Sequence, residues 1–186
     1  MTPTEAQPAG SGRALAGVPV AVLTLSDTVA AGGGRDDSGD LIVSALEARG
    51  AVIVARQALR DDRDAIVRAL MRYADEDHAA LVLTTGGSGL EPRDVTPEAT
   101  LAVIDRLAPG FVEAARMRTL AHTPLAMLSR AVAGVRGRTL IINLPGSPKA
   151  VQEWLDVLLP VLPHAVRTLR GEGGPWGTDH RGEVGE

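Results

Sequence analysis

The hydrophobic positions of this chain fall into short continuous runs that alternate with segments of helical period. Residues 18–25, 51–55 and 79–84 are apolar or β-branched, as expected of strands that are buried on both faces. Residues 40–49, and the segment that ends at Tyr73, instead place apolar side chains three or four positions apart, which indicates helices. The alternation predicts a largely parallel sheet that is covered by helices.

Capping residues mark where the predicted helices begin. Asp61 or Asp62 would cap the second helix, because a carboxylate there can accept from unpaired backbone N–H groups. Thr96 is followed by proline, which predicts another helix start with threonine as the N-cap, and this helix should run to about Leu107. A further helix follows directly and should end near Leu120.

A hairpin and a closing helix complete the pattern. Residues 133–138 predict a tight turn before a strand at residues 139–143, so one strand should be antiparallel. Ser147 should cap the last helix, which is expected to reach about residue 169 and to bend at Pro160 and Pro163. The predicted fold class is therefore α/β, a three-layer α/β/α sandwich with a mostly parallel sheet and one antiparallel strand.

The composition predicts one domain between two ends that do not fold. A chain of 186 residues usually forms one domain, and 45% of its residues are hydrophobic, enough for a substantial core. Only 2% are aromatic, so that core should be aliphatic. Residues 1–17 and 171–186 are predicted to be a disordered leader and tail around a domain at residues 18–170, with Trp176 as the one tail residue suited to docking.

Charge and cysteine usage exclude several classes of function. The net charge is −4, no basic block stands out and aromatic residues are few, which argues against a nucleic-acid partner. The absence of cysteine excludes disulfides, thiolate metal sites and cysteine nucleophiles. Because there is neither a signal-peptide pattern nor an apolar stretch long enough to span a bilayer, we expect a cytoplasmic protein without a membrane partner.

Three of the predicted strands end in residues that could contact an anion. Ser26 and Asp27 follow the first strand, residues 84–89 follow the third, and residues 143–147 follow the last. Ligands of open α/β sheets bind at the carboxyl ends of the strands, and glycine-rich turns let backbone N–H groups approach an anion closely. Since the spacing fits neither a P-loop nor a dinucleotide fingerprint, the glycines form either a structural turn or a phosphate-binding one.

Charged residues near these turns also have two explanations each. Asp94 precedes a helix start, where the helix dipole favours a carboxylate, but it could also hold Mg²⁺ or act as a base near phosphates. Asp61 is most simply a helix cap. Arg35, Arg93 and Lys149 could pair with a phosphate or, in the case of the arginines, with the aspartates nearby.

Several short motifs occur in a fixed order between residues 18 and 169. They read Leu25-Ser26-Asp27, Asp37-Ser38-Gly39, Thr84-Thr85-Gly86-Gly87-Ser88-Gly89, Arg93-Asp94-Val95-Thr96-Pro97-Glu98-Ala99, Pro109-Gly110-Phe111, Leu128-Ser129-Arg130, Ala133-Gly134 and Asn143-Leu144-Pro145-Gly146-Ser147-Pro148. Together they resemble the molybdopterin adenylyltransferase family, the MogA/MoaB-type domain that also occurs in gephyrin. The resemblance covers nearly the whole predicted domain.

The resemblance implies a function in molybdenum cofactor biosynthesis. It implies a homotrimer that transfers AMP from ATP to molybdopterin with Mg²⁺, releases pyrophosphate, and could hand the product to a molybdate-insertion enzyme. Asp61 and Asp94 would be the catalytic residues and the Mg²⁺ ligands, Asp61 by position more than by motif. The implied substrate-binding residues are Ser26, Asp27, Thr85, Gly86, Gly87, Ser88, Gly89, Ser129, Asn143, Pro145, Gly146 and Ser147.

Two departures from the family pattern leave alternatives open. Ser88 stands where threonine is usual, and Thr28 follows Asp27 where many members have arginine, which removes a phosphate partner. One alternative is a non-catalytic, MoaB-type molybdopterin-binding protein of the same fold. Another is a different phosphate-binding enzyme on a doubly wound fold, which would explain the glycine turn but not the Asn-Leu-Pro-Gly segment.

Overall fold

The computed structural model describes residues 13–172, which are organised around one six-stranded sheet. The strands are β1 (Pro19–Leu25), β2 (Val52–Leu59), β3 (Leu81–Thr85), β4 (Arg106–Leu107), β5 (Ala133–Arg136) and β6 (Thr139–Leu144). Their order in the sheet is β2-β1-β3-β6-β5-β4, and β5 runs antiparallel to both neighbours while the other pairs are parallel. The predicted sheet with one antiparallel strand is confirmed.

Helices cover both faces of the sheet, as predicted for a three-layer sandwich. Because side chains alternate along a strand, Val20 and Val22 of β1 enter one apolar cluster with Trp154, while Ala21 and Leu23 enter the other. The helices are α1 (Asp27–Ala30), α2 (Asp37–Glu47), α3 (Arg63–Asp75), α4 (Thr96–Val103), α5 (Gly110–Leu120), α6 (Pro148–Leu158) and α7 (Leu162–Arg170), with a 3-10 helix at Pro124–Leu128. In the described part of the chain, no helix is long and apolar enough to cross a bilayer.

The helix predicted from Thr96 to Leu107 is shorter than expected. Its N-cap is Val95, so Thr96 is its first residue and not its cap. The helix stops after Val103, where Ile104 turns to extended backbone. The next residues form β4, because pairing with β5 satisfies backbone groups that the helix would otherwise have used.

The hairpin also differs from its prediction. Residues 133–136 are strand β5 itself, and the turn is confined to the region of Gly137, which has a φ of 54°. The Gly137 N–H donates to Asp105 Oδ2 at 2.6 Å, which fixes the turn from outside the hairpin. A turn predicted over six residues was therefore wrong for its first four, because their conformation is set by pairing with β6.

The remaining differences concern the ends of helices and of the domain. Asp62, and not Asp61, caps α3 by accepting from the Ala65 N–H at 2.8 Å. The predicted last helix is two helices, separated at Pro160. The packed structure also begins before residue 18, because Leu15 is fully buried in the core. Most of the predicted leader and tail, with Trp176, lies outside the described residues.

Asn143 connects three segments behind the strand ends. It is fully buried on β6, where its Nδ2 donates to Thr84 Oγ1 at 3.0 Å and to Thr100 Oγ1 at 2.8 Å. Its Oδ1 accepts from the Val132 N–H at 3.1 Å. One amide therefore holds the end of β3, helix α4 and the approach to β5 in fixed positions.

We expect Asn143→Ala to lower the free energy of unfolding by about 2–4 kcal/mol, because it leaves several buried polar groups unpaired. Urea unfolding followed by circular dichroism would measure the loss. Gln152→Ala is the control, because Gln152 makes one exposed hydrogen bond, to Asp156, and its loss should cost no more than about 0.5 kcal/mol. Equal stability of the two variants would contradict this role of Asn143.

Candidate functional site

The candidate site is a cleft of about 510 Å³ at the carboxyl ends of β1, β3 and β6, which we call the main cleft. Its position is the one that the parallel strands of an α/β sheet provide for ligands. The residues predicted from the sequence that line it are Ser26, Asp27, Asp61, Gly86, Gly87, Ser88, Gly89, Asp94, Ser129, Pro145 and Gly146.

Residues 86–89, the glycine turn, form the floor of the main cleft. Gly86 and Gly87 have φ values of 96° and 60°, which side chains rarely adopt. A Cβ at Gly86 would overlap the carbonyl oxygen of Leu25, and one at Gly87 would lie 2.5 Å from Asp61 Oδ1. Glycine is therefore required for the turn to pack against β1 and to leave room for the Asp61 carboxylate.

Residues 144–147, the proline turn, are held by hydroxyl groups from the end of β3, the glycine turn and α2. Thr85 Oγ1 donates to the Pro145 carbonyl at 2.6 Å, and Ser88 Oγ donates to the Leu144 carbonyl at 3.4 Å. Ser38 Oγ donates to the Gly146 carbonyl at 2.7 Å from the start of α2. Because these hydroxyls already donate to the backbone, they fix the shape of the cleft.

Three of the predicted substrate-binding residues do not line the main cleft. Thr85 is buried beneath the proline turn, and Asn143 is enclosed in the core. Ser147 caps α6, with its Oγ accepting from the Ala150 N–H at 3.3 Å. The structure gives each of them a role in holding backbone, and their direct contact with a substrate stays a prediction.

Four acidic residues line the main cleft. Asp61 Oδ1 and Asp27 Oδ1 are buried and have no hydrogen-bond partner among the described residues. Asp27 pairs through its Oδ2 with Arg93, and Asp94 Oδ2 accepts from the Glu91 N–H at 3.0 Å. The cleft therefore offers carboxylate oxygens that the protein itself leaves unused.

The environment of Asp61 disfavours its ionised form. Burial raises the pKa of this carboxyl, and the negative charges of Asp27 and Asp94 raise it further, whereas Arg93 acts in the opposite direction. Asp61 is available for this position because Asp62 serves as the cap of α3. A cation bound in the cleft would relieve the repulsion among these acids.

Four residues that line the main cleft, Leu25 among them, were not predicted as site residues. Glu91 adds a fourth acid, and Leu125 and Leu128 form an apolar rim from the 3-10 helix. Leu125 is 68% exposed and Leu128 is 47% exposed. The periodicity of residues 125–132 fits neither a regular helix nor a strand, so Leu125 had no sequence signal, and Leu128 had only its place next to Ser129 in the motif Leu128-Ser129-Arg130.

A second cavity of about 250 Å³, the side cavity, adjoins the main cleft. The two share Leu25, Ser26, Gly86 and Gly146 in their walls. The side cavity also includes Arg35, which pairs with Asp37 at 3.3 Å. Two neighbouring cavities separated by backbone turns could hold two substrates, or two parts of one substrate.

Comparison with known proteins connects this geometry to a family. The model of a family described as "probable molybdopterin binding domain" matches residues 21–164. Molybdopterin adenylyltransferase of Helicobacter pylori strain J99 is 40% identical over 154 residues, which are 82% of this chain and 88% of that protein.

Solved structures of similar proteins agree with the architecture. The molybdopterin biosynthesis enzyme MoaB from Thermus thermophilus superimposes with a TM-score of 0.78 at 45% identity, covering 86% of this chain and 99% of that one. The molybdopterin biosynthesis Mog protein from Mycobacterium ulcerans gives a TM-score of 0.77 at 37% identity, covering 83% and 98%.

Replacing Asp61 by asparagine should stabilise the fold near neutral pH. Because the pKa of Asp61 is raised in the folded state, its contribution to stability is fully present below the pKa of the unfolded chain and is lost as the pH rises through the folded pKa. Asparagine resembles the protonated form, so the variant should escape this loss. We expect a rise in Tm of about 2–4 °C near pH 7, the shift that about 1 kcal/mol produces in a chain of this size.

The measurement is the Tm of wild type and variant in EDTA between about pH 4 and about pH 8. The difference between them should shrink toward the acid end. Asp64→Asn is the matched control, because Asp64 lies three residues after Asp61, in the first turn of α3, with a side chain that is 76% exposed. If the Tm of both variants has the same pH dependence, the ionised Asp61 carboxylate does not lower the stability of the fold.

Proposed function

This chain belongs to the family of molybdopterin binding domains, and we propose that it transfers AMP from ATP to molybdopterin in molybdenum cofactor biosynthesis. The observation that carries the proposal is the placement of Asp61 and Asp94 around the glycine turn in a single cleft. The name of the Helicobacter pylori relative supports the same reaction.

The reaction needs no nucleophile from the protein. A phosphate oxygen of molybdopterin attacks the α-phosphorus of ATP, a new P–O bond forms, and the bond to the bridging oxygen breaks as pyrophosphate leaves. The task of this chain is to align the two phosphates and to supply hydrogen-bond donors for the charge that develops. Backbone N–H groups of Gly86, Gly87 and Gly89 are the donors that we assign to this role.

The acidic residues of the main cleft fit Mg²⁺. The buried oxygens Asp61 Oδ1 and Asp27 Oδ1 lack partners, and Asp94 uses only its Oδ2 within its own loop. No three His, Cys, Asp or Glu side chains within residues 13–172 form a ready-made metal cage. This suits Mg²⁺, which proteins commonly bind through one or two carboxylates together with water and substrate phosphates.

We assign Asp61 and Asp94 as the residues that would hold Mg²⁺, with Asp27 beside them. The ion would offset the negative charge of the two phosphates that the reaction brings together. Asp94 would be placed for this role by its loop, and Asp61 by the glycine turn, where Gly87 leaves room for a buried Oδ1 that has no hydrogen-bond partner among the described residues. Both carboxylates therefore act by charge and position.

The two departures from the family pattern do not weaken this assignment. Ser88 Oγ donates to the Leu144 carbonyl, which needs only the hydroxyl that serine and threonine share. Arg93 already pairs with Asp27, so a cation stands at this corner although Thr28 replaces the usual arginine. The catalytic function is therefore favoured over that of a non-catalytic, MoaB-type molybdopterin-binding protein.

We further propose a homotrimer in the cytoplasm that could pass its product to a molybdate-insertion enzyme. Exposed apolar side chains on β4 and α5 support self-association: Leu107 is 60% exposed and Met117 is 73% exposed. An apolar cavity of about 540 Å³ lies beside the start of α5, with Phe111 and Val161 in its wall. Light scattering of the purified protein would test the trimer.

We expect Asp94→Asn to reduce the kcat of AMP transfer by about 100-fold or more, because one charge that organises the two phosphates is removed. The affinity for molybdopterin should change by less than about twofold, since the variant keeps the shape of the cleft. The assay follows adenylyl-molybdopterin and pyrophosphate after incubation with molybdopterin, ATP and Mg²⁺. Asp64→Asn, which removes an exposed carboxylate from α3, should behave as wild type.

The outcomes of this assay separate the candidate functions. Near-normal turnover by Asp94→Asn would show that the Asp94 carboxylate takes no part in the reaction. A folded wild-type protein that binds molybdopterin tightly but forms no product would select the non-catalytic, MoaB-type alternative. If the protein binds neither molybdopterin nor ATP, the glycine turn has a purely structural role.

A further inference from the structure

The loop that carries Asp94 has few attachments of its own. Residues 90–94, the acid loop, connect the glycine turn to the start of α4. Two hydrogen bonds close the loop on itself, from the Asp94 N–H to the Glu91 carbonyl at 2.9 Å and from the Glu91 N–H to Asp94 Oδ2 at 3.0 Å. They define its shape but do not fix it against the cleft.

The pairing of Arg93 with Asp27 is a weak attachment for the acid loop. The Arg93 side chain is 65% exposed and that of Asp27 is 38% exposed. Ion pairs this close to solvent gain little, because water screens the charges and two long side chains must be ordered. Another contact is needed to hold the Asp94 carboxylate in place.

Arg130 supplies that contact from a distant part of the chain. Its Nε donates to the Gly89 carbonyl at 2.6 Å, and its Nη2 donates to the Asp94 carbonyl at 2.6 Å. One guanidinium group therefore binds the residue just before the acid loop and the last residue of that loop. The backbone N–H of Arg130 also donates to the Ser88 carbonyl at 2.9 Å, which adds the glycine turn to the same connection.

Glu98 completes the arrangement on the other side of the guanidinium. It lies in the first turn of α4 and pairs with Arg130 Nη1. Three nitrogen atoms of one planar group are thus engaged at once, each by an acceptor from a different position. Arginine can do this because its donors form a rigid fork, whereas lysine offers a single ammonium group on a flexible stem.

The Asp94 carboxylate is close to the backbone that Arg130 holds. A Cβ at Gly89 would lie 2.9 Å from Asp94 Oδ2, so the carboxylate rests against Gly89 itself. Arg130 follows Ser129, which lines the same cleft. The guanidinium therefore ties the wall formed by the 3-10 helix to the wall that carries the acid.

We propose that Arg130 is a positioning residue, which holds the acid loop so that the Asp94 carboxylate faces Asp61 across the glycine turn. The role of Arg130 in catalysis rests on the proposed function, but its hold on the acid loop does not. If Arg130 acts through Asp94, its loss should impair turnover more than substrate binding, because the misplaced group is one that organises the reacting phosphates.

Kinetics of Arg130→Gln and Arg130→Lys provide the first test. We expect kcat to fall by about 10- to 100-fold in both, with KM for molybdopterin changed less than about threefold and a higher Mg²⁺ concentration needed for half-maximal rate. Lysine should not rescue, because it keeps the charge but loses the fork. In an Asp94→Asn background, Arg130→Gln should cost little more, since both changes disable the same group.

Arg136→Gln is the matched control. Arg136 also combines an ion pair, with Asp75, with a bond to a backbone carbonyl, that of Val103. It lies on β5 beside the hairpin at Gly137, at the amino end of β6 and away from the main cleft. Its replacement could lower stability but should leave kcat and the Mg²⁺ dependence of the rate as in wild type.

Hydrogen exchange gives a readout that does not depend on turnover. Amides of residues 89–94 should exchange at least about tenfold faster in Arg130→Gln than in wild type, and should be unaffected in Arg136→Gln. Unchanged exchange in this segment would overturn the proposal, as would a kcat loss that simply adds to that of Asp94→Asn. A wild-type protein without turnover would overturn the proposed function alone, because the exchange experiment would still decide whether Arg130 holds the loop.

Discussion

At the cleft, the glycine turn lies so close to the end of β1 that no side chain fits between them, and the proline turn lies next to it. A Cβ at Gly86 would overlap the carbonyl oxygen of Leu25, and one at Gly146 would lie 3.4 Å from the Gly86 Cα. Contact between bare backbones leaves only hydrogen bonds to hold the turns together. This explains why Thr85, Ser88 and Ser38 direct their hydroxyls to carbonyls of the proline turn.

The two adjacent acids Asp61 and Asp62 have different roles beside the glycine turn. Asp62 caps α3 and stabilises the fold, whereas Asp61, one residue earlier, points an oxygen without a partner toward the glycine turn. A carboxylate in that position costs stability, and glycine at position 87 is what makes room for it. A protein selected only for stability would not keep Asp61 there, so the cost itself argues for a ligand.

The parts of this structure that follow from local rules were predictable, and the parts that depend on distant partners were not. The buried strands and the glycine turn can be predicted from the sequence because the residue types there reflect the local backbone conformation. Strand β4 was hidden because its conformation comes from pairing with β5. Asn143 was predicted to bind substrate, yet its side chain reaches Thr84 and Thr100, partners that no short-range pattern connects to it. Arg130 stood in a recognised motif, but its bonds to Gly89 and Asp94 span 41 and 36 positions.

The charge of the cleft limits how it would bind the phosphorylated substrates of the proposed reaction. Asp27, Asp61, Glu91 and Asp94 line it, and Arg93 is committed to one of them. Phosphates entering such a site alone would meet repulsion, so the proposed function requires that they enter with a cation that the carboxylates also bind. If a cation accompanies the phosphates, an additional arginine at position 28 would add little to their binding. The alignment of the carboxylates that bind the cation would matter more. In the proposed reaction, a guanidinium that binds the backbone behind the acids, as Arg130 does, would therefore contribute more than one placed among the phosphates.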